Sequence, residues 1–149
     1  MTEPKQSLVQ SWLIKAEHDL ILARNVSSIP GALLDVGIFH CQQAAEKAVK
    51  GFLVFHDLRF EKTHDIELLM STARSVQSTF EAWLACGASL TPYAARFRYP
   101  GEVMQPSQQE YSAALQAAEA IVQFVTSLLP AEVRPNPTIT PIQEGCVSD

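Results

Sequence analysis

Between Leu34 and Phe55 the apolar residues Leu34, Ile38, Cys41, Ala45, Ala48, Phe52 and Phe55 recur alternately at intervals of four and three. That spacing holds them on one stripe of an α-helix and is incompatible with the period of two that a half-buried strand needs. A stripe of this kind must be covered, and the surface that fits it is another helix running nearly parallel or antiparallel. The seam therefore predicts a helix from about Ala32 to His56 at the centre of a helical bundle.

The rest of the chain supplies its neighbours. Ser7-Leu8-Val9-Gln10 fits a capping box, and Leu8, Trp12, Ala16, Leu20 and Ala23 follow at helical spacing to about Asn25. Ser27-Ser28-Ile29-Pro30-Gly31 breaks this first helix. Thr63, Asp65 and Glu67 mark the start of a third helix carrying Ile66, Leu69, Met70 and Ala73. Ser78-Thr79-Phe80-Glu81 reads as a second capping box, ahead of Trp83, Leu84 and Gly87. Thr91-Pro92 opens a short helix to Phe97, which Arg98-Tyr99-Pro100-Gly101 ends, because a residue before proline avoids the helical region. Ser107-Gln108-Gln109-Glu110 is a third capping box, and Tyr111, Leu115, Ala118, Val122, Val125 and Leu129 form the last seam. No stretch alternates at period two. The expected fold is all-α, an up-and-down helical bundle of four main helices plus a short helix, over residues 1–129. Pro130, Pro135, Pro137 and Pro141 then fall among small and polar residues, so 130–149 reads as a mobile proline-rich tail.

The chain has 149 residues, 47% of them apolar, which suits one core. Its formal net charge of -5 argues against binding nucleic acid by a broad electrostatic mechanism, which needs clustered Lys and Arg, but leaves room for a local basic pocket. The three cysteines, Cys41, Cys86 and Cys146, show no CxxC or zinc spacing, so reduced thiols and no metal site are expected. The start Met1-Thr2-Glu3-Pro4-Lys5-Gln6 has no apolar run, and no segment approaches the roughly 20 apolar residues of a membrane span. The expected setting is cytoplasmic.

Beside the central seam lies a polar stripe. His40, Gln43, Lys47 and Lys50 share one helix face, and Glu46 is three from Gln43 and four from Lys50. One reading is a solvated face with a modest ion pair; the other is a ligand site. His64 stands at a predicted helix start, where the dipole disfavours its cation; it reads either as a cap or as a neutral hydrogen-bonding group. Arg96 and Arg98 are interleaved with Tyr93, Phe97 and Tyr99, the one Arg–aromatic cluster of the chain. Guanidinium groups bind phosphate with paired hydrogen bonds and tyrosine stacks on bases, while the alternative is an anchor in which Tyr99 packs on the bundle and Arg98 meets Glu46 or backbone carbonyls. Phosphate loops, nucleophile elbows and HExxH motifs are absent from the sequence.

Gln42-Gln43-Ala44-Ala45-Glu46-Lys47-Ala48-Val49-Lys50, then Lys62-Thr63-His64-Asp65, then Arg98-Tyr99-Pro100 resemble the HEPN domain family, named for higher eukaryotes and prokaryotes nucleotide-binding. The resemblance spans about Leu13 to Leu129 and points to its small stand-alone prokaryotic subfamily. It implies a helical bundle that commonly forms homodimers and often occurs beside a minimal nucleotidyltransferase in a toxin–antitoxin-like pair. Gln43, Glu46, Lys47, Lys50, His64, Arg98 and Tyr99 match the subfamily pattern and are the implied ligand-binding positions. Ribonuclease branches carry Arg-x4-6-His on a later helix, at the dimer interface. Here Arg59 and His64 have that spacing, but in the loop after the second helix. Three functions follow as expectations. The first is a nucleotide- or RNA-binding module without cofactor, in which Lys47, Lys50 and Arg98 meet phosphate. The second is a non-catalytic protein-interaction module, and the third a metal-independent ribonuclease using His64.

Overall fold

The computed structural model describes residues 1–101 and 105–135. Among these the chain forms five α-helices and no strand: α1 Glu3–Asn25, α2 Leu34–Phe55, α3 Ile66–Ala73, α4 Leu84–Leu90 and α5 Gln108–Ser127. Short 3-10 turns at Val26–Ser28, Ser78–Trp83, Thr91–Ala94 and Ala131–Val133 join or extend them. The fold is the expected all-α bundle. Helix α2 is its axis: α1 and α5 pack on it most extensively, and α3 and α4 close a further side. Its seam residues Ile38, Cys41, Ala45, Ala48 and Phe52 are all wholly buried.

Close approach to α2 is made possible by its glycines. A Cβ added at Gly37 would lie inside the closest approach to Val26 Cγ2 and 2.9 Å from Tyr111 Cε2. At Gly51 it would meet Trp12 Cβ at 3.1 Å. The first thus admits the end of α1 together with α5, and the second admits the middle of α1. The buried Tyr111 hydroxyl donates to the Ala23 carbonyl, tying α5 to α1 over the Gly37 gap.

Several local expectations shift. Helix α1 begins at Glu3, not at Ser7: Thr2 Oγ1 accepts from Lys5 N, and Pro4 sits in the first turn, where its missing N–H costs nothing. The buried face of α1 is Val9, Leu13, Ala16, Leu20 and Ala23, while Leu8 is half exposed. The upstream seam is therefore displaced by one residue from Leu8 and Trp12. Ser78 caps nothing; its segment winds as a 3-10 turn and only then becomes α4. The short helix expected from Pro92 to Phe97 is a 3-10 turn over Thr91–Ala94. Thr91 is more than a cap there, since its hydroxyl donates to the Gly87 carbonyl and accepts from Ile66 N at 3.1 Å, joining α4 to the start of α3. Ser107 does cap α5, accepting from Glu110 N at 3.0 Å.

The chain does not leave the bundle at Leu129, as its proline content suggests. Val133 is wholly buried, and Gln6 and Gln10 of α1 donate to the Glu132 and Arg134 carbonyls. Those two glutamines satisfy backbone groups that the prolines leave without helical partners. The remainder of the expected tail, 136–149, lies outside the described residues, as does part of the loop expected before Pro106.

Gly37→Ala is expected to overpack the α1–α2–α5 junction and to lower stability by about 1–3 kcal/mol. Urea unfolding followed by circular dichroism measures it. A variant as stable as the parent would show that the junction relaxes around a methyl group.

Candidate functional site

The polar stripe of α2 folds into two buried carboxylate clusters. The first centres on Glu46, whose side chain is 5% exposed. Lys50 Nζ donates to Oε1 at 2.7 Å, one helical turn away. Gln42 Nε2 donates to Oε2 at 2.8 Å, and His64 Nδ1 lies 2.9 Å from the same oxygen. Gln42 also donates to the His64 carbonyl at 3.0 Å, so one glutamine holds both the carboxylate and the backbone that carries the histidine. Gln43 Nε2 donates to Gln42 Oε1 at 2.6 Å and reaches toward Glu46. The Lys50 ammonium sits 5.9 Å from the ring centres of both Trp12 and Phe60, which cover the cluster.

The second cluster centres on Asp19 of α1. His40 Nδ1 lies 2.7 Å from Oδ1, and Lys47 Nζ donates to Oδ2 at 2.6 Å. Asp19 thus anchors α1 to α2 through two side chains of the stripe. In both carboxylates burial pushes the pKa up but is outweighed. The hydrogen bonds from His40 and Lys47 hold Asp19 below its usual range, and those from Lys50, Gln42 and His64 do the same for Glu46. Both therefore stay ionised at neutral pH. The buried Lys50 ammonium and the partly exposed Lys47 ammonium are each balanced where they stand.

This placement gives each residue singled out in the sequence its surroundings. Lys47 and Lys50 are paired with Asp19 and Glu46. Gln43 and Glu46 belong to the network that positions His64. The His64 side chain is 69% exposed although its Nδ1 is fixed, and Nε2 has no protein partner among the described residues. Arg59 is exposed on the same loop, and no hydrogen bond or ion pair joins it to His64 among the described residues. Arg98 does not reach Glu46. Its guanidinium carbon lies 4.0 Å from the Phe39 ring centre, and it donates weakly to the Ala94 carbonyl. Arg98, Phe39, Phe97, Val36 and Asp35 line a cleft of about 250 Å³. Tyr99 is 71% exposed and does not pack on the bundle. Arg96 instead belongs with Tyr93, whose hydroxyl donates to Glu110 at 2.7 Å, and whose pKa burial and that bond push up to about 12.

Asp19 and Gln42 are the members that the sequence reading passed over. The signal for Asp19 was available. It is three residues after Ala16 and four before Ala23, both seam positions, and an acid there needs a buried partner.

The bundle agrees with what comparison finds. The pattern of the HEPN domain matches residues 9–128. The crystal structure of an archaeal HEPN homologue superposes with a TM-score of 0.63 at 27% identity, covering 80% of this chain and 96% of that one. A comparison with curated proteins gives no match. The chain belongs to the HEPN domain family. No helix among the described residues is long and apolar enough to cross a membrane.

Glu46→Ala is expected to strand the Lys50 ammonium and to cost about 3–5 kcal/mol in chemical denaturation. The lowered carboxylates also set a pH dependence. Their contribution is fully present above the ordinary carboxylate range, around pH 4, and is lost as pH falls through the lowered values, because the unfolded chain then binds protons that the folded chain resists. Melting temperature followed against pH should fall steeply in that acid window, and Asp19→Asn should be less stable at neutral pH with a shallower acid slope. An unchanged slope in Asp19→Asn would remove Asp19 from this account.

Proposed function

We propose that this protein is a HEPN-type nucleotide- or RNA-binding module whose contact edge is the one from which His64 and Arg98 project. The observation that carries the reading is the use made of Glu46. A buried carboxylate fixes one ring nitrogen of a largely exposed imidazole and leaves the other directed at solvent, an arrangement that core packing does not require. Arg98, spread on Phe39 at the mouth of a cleft, supplies a guanidinium suited to phosphate, and Tyr99 beside it offers a face for a base. Lys47 and Lys50 contribute indirectly, by keeping Asp19 and Glu46 ionised. The net charge of -5 favours such a local site over wide electrostatic binding. Family membership supports, as part of the same proposal, a homodimer that acts with a minimal nucleotidyltransferase in a toxin–antitoxin-like pair.

Arg98→Ala is expected to weaken binding of nucleotide or short RNA about tenfold at low salt, equivalent to about 1.4 kcal/mol, with little change in melting temperature. Isothermal titration calorimetry on the folded protein checks it. Absence of heat with every mononucleotide and RNA tried would end the proposal. Loss of melting temperature without loss of affinity would point instead to a purely structural protein-interaction module. Co-purification with a nucleotidyltransferase encoded beside this chain tests the pairing.

The Glu46–His64 geometry favours a second reading, metal-independent RNA cleavage. With Nδ1–H donated to the carboxylate, Nε2 of the neutral ring is free to take a proton from a ribose 2′-hydroxyl. His64→Ala should then abolish cleavage of a fluorogenic RNA, and undiminished cleavage would dismiss this chemistry.

A further inference from the structure

We infer that Phe97 is a positioning residue for Arg98: an aromatic stack holds its backbone in the left-handed region, and that turn aims the guanidinium at Phe39. Among the described residues the non-glycine positions with positive φ are Ala32, Asp57 and Phe97. Aspartate tolerates this region, and Ala32 is small and follows Gly31. Phe97, at φ 67°, is the bulky one. Such a conformation is strained in a bulky residue and persists only where the surroundings hold it. Phe97 stands third in the turn that Arg98 N closes on the Ala95 carbonyl at 3.2 Å, where a positive φ ordinarily calls for glycine or asparagine.

The surroundings that hold it are a line of side chains running from α5 to α2. Glu110, in the first turn of α5, accepts from the Tyr93 hydroxyl at 2.7 Å. The Tyr93 and Phe97 rings stack with centres 6.2 Å and planes 15° apart, and Phe97 packs against the core. Glycine would make the turn without strain but could not make that stack. The turn delivers Arg98 to α2, where its guanidinium carbon lies 4.0 Å from the Phe39 ring centre. Little else fixes it there. No ion pair joins Arg98 to a described residue, although Asp35 lines the same cleft, and its side-chain hydrogen bond to the Ala94 carbonyl is long, at 3.4 Å. A long side chain so lightly tethered has much rotamer freedom to lose, and it depends on its backbone for its aim.

The test follows the Arg98 side-chain proton resonances of the full chain by NMR. The Phe39 ring shifts them upfield, and Phe39→Leu, which removes the ring, sets their unshifted position. Phe97→Tyr keeps the stack and is expected to preserve the shift. Phe97→Ala loses the ring and keeps the Cβ that disfavours positive φ, so about half of the shift or more should disappear. Phe97→Gly loses the ring but accepts positive φ freely, so it should retain more of the shift than Phe97→Ala. Packing alone predicts the opposite order, because glycine leaves the larger gap. Tyr93→Phe removes only the bond to Glu110; it should reduce the shift too, and it carries the test if Phe97→Ala does not fold. Melting followed by circular dichroism establishes which variants fold. A shift unchanged in Phe97→Ala or in Tyr93→Phe, or retained no better by glycine than by alanine, would overturn the inference. What the seat does for a ligand rests on the binding reading above, and anisotropy of a fluorescein-labelled uridine hexanucleotide keeps the two apart. Phe97→Ala should weaken its binding about tenfold, as Arg98→Ala does. A hexanucleotide that fails to bind even the parent chain, while Arg98 leaves Phe39 in Phe97→Ala, would count against the binding reading and uphold the positioning role.

Discussion

Glu46 and Asp19 are ionised carboxylates inside a small helical bundle, and much of the molecule is organised around keeping them so. A buried charge without partners is among the most costly things a fold can contain. Here each carboxylate receives one lysine and one histidine, and Glu46 takes a glutamine as well. The partners come from α2 and from the loop before α3, and Asp19 comes from α1. Satisfying the two acids therefore fixes the register of α1 against α2 and holds the His64 loop down on the bundle. An apolar pair in place of either acid would stabilise the same helices, so the retention of charge at these positions is what gives the edge its chemical character.

The apolar framework sets where that polar network sits. Gly37 and Gly51 bring α1 and α5 close to α2, and the stripe from Ile38 to Phe52 is wholly buried. Along that edge α2 presents side chains at intervals of three, four and seven residues, which is why Phe39, Gln43, Glu46 and Lys50 form one line. The connection 56–65 and the segment after the Thr91–Ala94 turn lie along the same line and deliver His64 and Arg98 to it. Rigid helix supplies the spacing, and irregular chain supplies the exposed functional groups, a common division of labour in binding sites.

Much of the fold was legible because its cause is periodic. The four-three seam of α2 predicts its length to within two residues at either end, and Ser107 announces the start of α5 through its own hydroxyl. Where local rules compete, the reading slips. Ser7 and Ser78 have the right neighbours for caps, yet Thr2 with Pro4 starts α1 earlier, and 3-10 winding takes over at Ser78. The site was legible as a set of residues but not as a set of roles. Lys47 and Lys50 carry the charge expected of phosphate ligands, and nothing in their spacing says that Asp19, 28 positions from Lys47, already claims one of them.

What the sequence settles by itself is what helical periodicity and local capping encode: an all-α chain, a central amphipathic helix and a polar line along it, in a chain whose residues 9–128 match the HEPN domain family. Only the tertiary structure decides which cations are spent on buried carboxylates and which remain exposed. It is also what seats Arg98 on Phe39 and His64 on Glu46, seven residues apart on α2. The reason is that pairing and burial depend on contacts between residues far apart in the chain, and no local pattern carries the distances between helices that those contacts require.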